Sequence, residues 1–242
     1  MTSEARLDGL RIMITGANRG LGAALVTDAL SRGARHVYAG TRHPLSITDQ
    51  RVTPLRLDVT DADDIAAAAR EIGALDVLIN NAGLLRFDDL TDHACLSEHL
   101  AVNLFGTHAV TQALLPRLME THGRLVNILS VSALAPLPVT PAYSVSKAAA
   151  FSMTQSLRAL LEPHGVRVHA VLAGPIDTDM LRAVDIPKSP PADVARAIFD
   201  GMLDDRDEIF PDPMSVTITT AWDSGVSKTM ERANAAYLAH AR

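Results

Sequence analysis

Two short stretches of this chain combine residue types that could do chemistry. The first is Thr15-Gly16-Ala17-Asn18-Arg19-Gly20-Leu21-Gly22, with three glycines in the spacing Gly-x3-Gly-x-Gly. Glycines let the backbone turn sharply and let a ligand approach with no side chain in the way. A helix starting there would offer unpaired N–H groups and a positive dipole end to a phosphate. The spacing is neither the usual GxGxxG dinucleotide fingerprint nor a P-loop, because no Lys-Ser/Thr pair follows the last glycine. The second stretch is Tyr143-Ser144-Val145-Ser146-Lys147. Residues four apart on a helix share a face, so phenol and ammonium would sit side by side. A phenol with a reference pKa of about 10 exchanges protons poorly at neutral pH. A nearby ammonium favours the phenolate and would lower that value. Such a pair suits proton transfer to an oxygen that gains negative charge. Ser130, thirteen residues before Tyr143, could donate a hydrogen bond to the same oxygen.

The hydrophobic pattern predicts the elements that must hold these groups. Short apolar runs mark strands at Leu10–Thr15, Arg35–Gly40, Thr53–Asp58, Asp76–Asn80, Arg124–Ser130 and Val166–Ala173, with a weaker one at Glu208–Pro211. Runs such as Ile12-Met13-Ile14 and Val77-Leu78-Ile79 are apolar throughout, as parallel strands covered on both faces require. Between them lie Ala-rich helical segments at Leu21–Arg32, Asp61–Ile72, Cys95–Thr121, Ala142–Glu162 and Pro191–Leu203. Met214–Ala241 reads mostly as helix, interrupted by Thr217-Ile218-Thr219-Thr220. The alternation predicts an α/β fold with a doubly wound parallel sheet of Rossmann type, in three layers and one domain spanning 1–242. In this order, the glycine turn falls between the first strand and the first helix, where nucleotides bind.

Composition narrows the function. The 242 residues carry 28 acidic against 22 basic side chains, a formal charge of −6, which argues against a nucleic-acid surface. The single cysteine, Cys95, can form no internal disulfide and no thiolate zinc site alone. No apolar run approaches the ~20 residues that span a bilayer, and Met1–Gly9 lacks the apolar stretch of a secretion signal. A cytoplasmic protein with no membrane or nucleic-acid partner is expected. The nine histidines form no HExxH and no serine sits in GxSxG, which disfavours metal catalysis and a hydrolase elbow.

Taken together, the motifs resemble the short-chain dehydrogenase/reductase superfamily, whose nucleotide motif is TGxxxGxG. Leu57-Asp58-Val59 resembles the family's acidic position after the third strand, which meets adenine, and Asn80-Asn81-Ala82-Gly83 its NNAG. Asn103 lies where the family has its helical active-site Asn. Ser130 and Tyr143-x3-Lys147 match the catalytic set. Ala173-Gly174-Pro175-Ile176-Asp177-Thr178 resembles PGxxxT, with Ala173 in place of the usual Pro. The match runs from residue 10 to about 180 and fades beyond Leu203, where Phe210-Pro211-Asp212-Pro213 and an atypical extension over 204–242 replace the common ending. The resemblance implies hydride transfer between a nicotinamide and a carbonyl or alcohol, with Tyr143 as acid/base and Ser130 orienting the substrate oxygen. It further implies that Lys147 holds the nicotinamide ribose, and that Asn103 anchors a water linking Lys147 to solvent. It assigns the cofactor to Gly16, Asn18, Arg19, Gly20, Leu21, Thr41, Arg42, Asp58, Val59, Asn80, Ala82, Gly83, Tyr143, Lys147, Gly174, Ile176 and Thr178.

The end of the second strand bears on which nicotinamide cofactor is taken. An acid there would accept from both ribose hydroxyls and repel a 2′-phosphate. Thr41 stands in that place, Arg42 follows, and Arg19 lies in the glycine turn, so two guanidinium groups could converge on a phosphate. NADP(H) is therefore expected. The substrate end is expected from Leu84, Leu85, Val131, Leu134, Leu137 and the segment Met180–Ile186, an apolar lining with Arg86 and Arg182 as polar partners. Asp177–Pro190 could form a modest lid. That lining suits a small or medium hydrophobic ketone or aldehyde. By resemblance, the helices at Cys95–Thr121 and Ala142–Glu162 would pair in a homodimer or homotetramer. Two other readings use the same fold: a cofactor-binding regulator with little turnover, and a dehydratase or isomerase acting on a coenzyme A thioester.

Overall fold

The structure, a computed structural model, describes residues 6–43, 45 and 47–235. Seven parallel strands form one sheet in the order β3-β2-β1-β4-β5-β6-β7. They are β1 (Arg11–Thr15), β2 (His36–Thr41), β3 (Val52–Arg56), β4 (Val77–Asn80), β5 (Arg124–Ile128), β6 (Arg167–Val171) and β7 (Glu208–Ile209). After β1 the chain builds outward through β2 and β3, then returns to lay β4 on the other side of β1. That reversal opens a crevice at the carboxyl ends of β1 and β4. Pro54 sits in β3, an edge strand, where its missing N–H leaves no ladder bond unmade on the open side.

Strand side chains alternate between two cores, which is why these runs read as apolar throughout. Ile12, Ile14, Val77 and Ile79 face α1 (Gly20–Ser31) and α6 (Pro191–Leu203). Met13, Leu78, Leu125 and Val168 face the other side, against α2 (Ala62–Glu71), α4 (Thr107–Thr121) and α5 (Pro141–Leu161). Helix ends follow local chemistry. Asp61 caps α2 by accepting from the N–H groups of Asp63 and Asp64, and Pro141 opens α5 where no intrahelical donor is needed. The chain is a doubly wound α/β domain with helices on both faces of the sheet, as expected. No helix among the described residues is long and apolar enough to cross a membrane.

Two segments depart from expectation. The region Cys95–Thr121 is not one helix but α3 (His93–Leu100), a π-helical turn (Ala101–Gly106) and α4. A π turn inserts an extra residue and rotates side chains that would otherwise follow the helical face. Here it carries Asn103, which is 2% exposed. The segment from Met214 breaks into α7 (Pro213–Val216), α8 (Thr219–Asp223) and α9 (Val226–Ala235), and the end of the expected helix lies outside the described residues.

The start of β1 is pinned to the start of β4 by one ion pair. Asp76 accepts from the Arg11 backbone N–H at 2.8 Å, from Nε at 2.7 Å and from a terminal guanidinium nitrogen at 2.9 Å. Burial pushes the Asp76 carboxyl up, but Arg11's hydrogen bonds and charge outweigh it and hold the group below the ordinary carboxylate range. A carboxyl depressed in the folded state stabilises at neutral pH, and that contribution is lost as pH falls through its folded-state value. Asp76→Asn should therefore lower stability by about 1–3 kcal/mol at pH 7. Urea unfolding should also show a gap from the parent that narrows as the pH drops below about 4. A gap that persists undiminished in acid would contradict this account.

Candidate active site

The glycine turn is tied to the end of β4 by backbone and amide contacts. The Thr15 hydroxyl accepts from the N–H groups of Asn81 and Ala82, both at 2.9 Å. The Asn81 side-chain amide donates to the carbonyls of Thr15 at 2.9 Å and Gly16 at 3.2 Å. Gly16 and Gly20 adopt φ of +65° and +53°, the left-handed region that glycine enters freely. The turn is so tight that a Cβ on Gly22 would stand 2.1 Å from the Gly16 carbonyl oxygen. Helix α1 then starts at Gly20 with no side-chain cap from Arg19 and no acid in its first turn. Its positive end is left to the crevice.

That crevice encloses about 1490 Å³. Its walls include Gly16, Asn18, Arg19, Gly20, Leu21, Thr41, Arg42, Asp58, Val59, Ala82, Gly83, Gly174, Ile176 and Thr178, together with Ser130, Tyr143, Lys147, Leu85 and Leu137. Asn80 is not among them and needs correction. Its side chain is buried and its amide donates to the Thr111 hydroxyl and to Asn127 Oδ1, each at 2.9 Å, so it braces β4 against α4 and β5. Its neighbour Asn81, on the opposite face of the strand, is the one that reaches the crevice.

Tyr143 and Lys147 stand one turn apart on α5, with the ammonium 5.6 Å from the phenol ring centre. Lys147 Nζ donates to the Ile128 carbonyl at 2.8 Å, at the end of β5. Ser130 follows that strand, and its hydroxyl favours the charged form of the Tyr143 phenol. The Ser130 oxygen is itself fixed by the Ser132 backbone N–H at 3.1 Å and faces the Ser132 hydroxyl at 3.0 Å. Burial pushes the Tyr143 hydroxyl up to about 12, with the Ser130 hydroxyl pulling the other way. Burial lowers Lys147 to about 8. The expected lowering of the phenol by its lysine is thus not what the structure has. The ammonium turns to a carbonyl, and desolvation dominates both groups.

Asn103 does not line the crevice. It brackets it instead, accepting from the Leu84 N–H at 2.8 Å and donating to the Leu84 carbonyl at 2.9 Å and to Ser146 Oγ at 2.8 Å. Ser146 in turn donates to the Tyr143 carbonyl at 2.7 Å. The π turn therefore couples the loop after β4 to the turn of α5 that carries Tyr143 and Lys147. His99 makes a second brace with no signature in the sequence. Fully buried, it accepts from the Arg86 N–H at 3.0 Å, bonds the Cys95 carbonyl through Nδ1 at 2.8 Å, and sets its ring edge-on to Tyr143.

The two arginines reach the crevice but do not converge freely. Arg19 pairs with Asp179 at 3.2 Å and Arg42 with Asp58 at 3.7 Å. Asp58 is pushed up by burial, yet lies below the ordinary carboxylate range because Thr60 and Arg42 stabilise its charge. The Thr41 hydroxyl is engaged by the His43 backbone at 3.0 and 3.1 Å. The segment Asp177–Pro190 is anchored by Ser189, which bonds the backbone of Pro175 and Asp177, and by Lys188 donating to the carbonyls of Leu181 and Val184. Arg182 pairs with Asp179 and stays off the walls, whereas Met180 and Ile186 form part of them. Met214, Ile218, Trp222 and Val226 also face the crevice, a contribution the sequence did not announce.

Residues 11–188 match the short chain dehydrogenase family. The chain belongs to that family. A short chain dehydrogenase of Monascus ruber, pigC, is 34% identical over 204 residues, covering 75% of this chain and 67% of its own. An uncharacterized oxidoreductase of Staphylococcus aureus strain USA300 is 33% identical, covering 77% and 87%. Among solved structures, a short chain dehydrogenase of Burkholderia cenocepacia J2315 in complex with NADP superimposes with a TM-score of 0.87 at 38% identity, covering 94% of this chain and 98% of its own. This short chain dehydrogenase is an oxidoreductase, and the family's NAD(P) fits the crevice. The uncapped amino end of α1 can take a pyrophosphate, and the glycine turn leaves room for it.

The depressed lysine can be read directly. NMR of 13Cε-labelled lysines should show one resonance titrating near pH 8 in ligand-free protein, absent from Lys147→Met. A Lys147 midpoint near the ordinary lysine value of about 10.4 would contradict the burial argument.

Proposed function

We propose that this protein is an NADPH-dependent reductase of uncharged, hydrophobic carbonyl compounds. The observation that carries the reading is the meeting of Ser130, Tyr143 and Lys147 with the glycine turn in one crevice. When bound, NADPH supplies a hydride, two electrons and a proton's mass, to the carbonyl carbon. The oxygen then gains negative charge and takes the Tyr143 proton, so the alcohol leaves with one hydrogen from each source. Ser130 orients that oxygen and stabilises its charge, worth orders of magnitude where such a donor is preorganised. Lys147 would hold the ribose hydroxyls and, when charged, stabilise the phenolate left after proton transfer until its proton is replaced.

The preference for NADPH rests on the absence of an acid at Thr41 and the presence of Arg19 and Arg42 on the walls. The NADP in the Burkholderia cenocepacia relative supports it. A 2′-phosphate would offer each arginine a doubly charged partner in place of one carboxylate. We propose further that the protein assembles as a homodimer or homotetramer through the helical segment Cys95–Thr121 and α5, where Phe105, Val145 and Leu160 leave apolar surface exposed.

Tyr143→Phe should cut turnover of NADPH with ketones by roughly 10²–10⁴-fold while NADPH binding changes little. Full retention of turnover would remove the tyrosine from the chemistry. Calorimetric titration should find NADPH tighter than NADH, and Arg42→Ala should weaken NADPH by roughly tenfold or more with a much smaller effect on NADH. Tighter binding of NADH by the parent protein would reverse the cofactor assignment.

A further inference from the structure

We infer that Trp222 is the specificity-determining wall of the substrate end, and that the carbonyl compound taken there is uncharged and carries a flat, apolar ring system. This deepens the reductase reading above and rests on it for the reaction, though not for the binding. Trp222 belongs to the segment beyond Leu203, where the family resemblance fades, and it reaches the crevice through α8.

Its orientation is fixed from two sides. The indole ring lies against Phe151 of α5, with ring centres 5.5 Å apart. It packs on the same apolar cluster as Leu134, one turn beyond Ser130, which places it at the substrate end and not at the glycine turn. The indole N–H donates to Glu208 Oε2 at 3.0 Å. With its only polar atom engaged there, what the ring can offer a ligand is an apolar π face.

Glu208 cannot easily let go. Its side chain is 3% exposed on β7 and meets Lys228 Nζ at 2.8 Å and Arg158 at 2.9 Å. Lys228 also bonds Asp207 and Glu231, and Arg158 pairs with Glu231 as well. A charge buried this deeply is tolerated only while its partners stay in place, so the cluster holds the indole in one setting. The other walls of the crevice include Leu84, Leu137 and Ile186. The charged pair at this end, Arg86 with Glu98 at 2.7 Å, is internally neutralised. An anionic carrier group would find the Arg86 guanidinium already paired, whereas a flat apolar ring would find an aromatic face.

The test uses the fact that Trp222 is the chain's single tryptophan, so indole emission reports this wall alone. The probes are 2-tetralone and acetophenone against butan-2-one, titrated into the NADP-loaded protein with inner-filter correction. The ring ketones should change indole emission saturably, and butan-2-one should not. In steady-state assays with NADPH, Trp222→Ala should lower kcat/KM for 2-tetralone roughly tenfold more than for butan-2-one. The wild-type titration decides the matter should that variant fail to fold, with Trp222→Leu as the second variant. Unmoved emission, or equal losses across the three ketones, would overturn the assignment. Saturable emission changes without turnover of any ketone would instead sink the reductase reading and leave the wall standing.

Discussion

The backbone of Gly22 passes so close to the Gly16 carbonyl that no side chain fits between them, and the rest of the site depends on that approach. It aims the first turn of α1 along the crevice instead of away from it. The Asn81 amide closes the same knot from the β4 side, bonding both Thr15 and Gly16. The turn is therefore built from two segments 66 residues apart in sequence. Because β1 and β4 are hydrogen-bonded neighbours at the point where strand order reverses, this knot and the crevice occupy the same place. A phosphate-binding helix end is common. One held rigidly beside a second strand terminus can also fix where the far end of a dinucleotide goes.

The catalytic end answers to a different force. Burial acts oppositely on an acid and a base, favouring the uncharged form of each. Tyr143 is raised to about 12 and Lys147 lowered to about 8 by the same desolvation, so the resting pair leans toward a neutral phenol beside an amine that readily changes charge. A neutral phenol is a proton donor, the form that carbonyl reduction uses. The geometry is kept by side-chain amides and hydroxyls, not by charge. Asn103 ties Leu84 to Ser146, and Ser132 steadies Ser130. Such neutral bonds hold position without adding a field that would fix the protonation state.

Much of this was legible in the sequence because its causes are local. Continuous apolar runs locate strands to within a residue or two, and the glycine spacing marks the first turn. What failed has a physical pattern. Asn80 and Asn81 are both polar at the end of a strand covered on both faces, so nothing in the hydrophobic alternation says which points to the crevice. The structure sends Asn80 inward to Thr111 and Asn127. The π turn at Asn103 is invisible because Cys95–Thr121 keeps helical composition throughout. The arginines were located correctly as groups on the crevice. Their partners Asp58 and Asp179 come from distant segments, and pairing across such distances leaves no trace in spacing.

The segment after Leu203 was the least legible. It is held by a third kind of contact, a buried cluster in which Glu208 joins Arg158, Lys228 and Trp222. Replacing such a cluster with apolar residues often costs little stability, so its weight in the structure lies more in what it positions than in what it stabilises. Here it positions an aromatic face. Asp212 adds a polar clasp, accepting from the Gly174 N–H at 2.7 Å and capping α7, which joins the substrate wall to the loop before Ile176 and Thr178. The crevice thus has one end set by backbone approach, a middle set by neutral hydrogen bonds, and an end set by buried charge. The last is tied to the others through Asp212, which holds Gly174, and through Leu84, which Asn103 holds. A change of shape there therefore bears on the loop that carries Ile176 and Thr178.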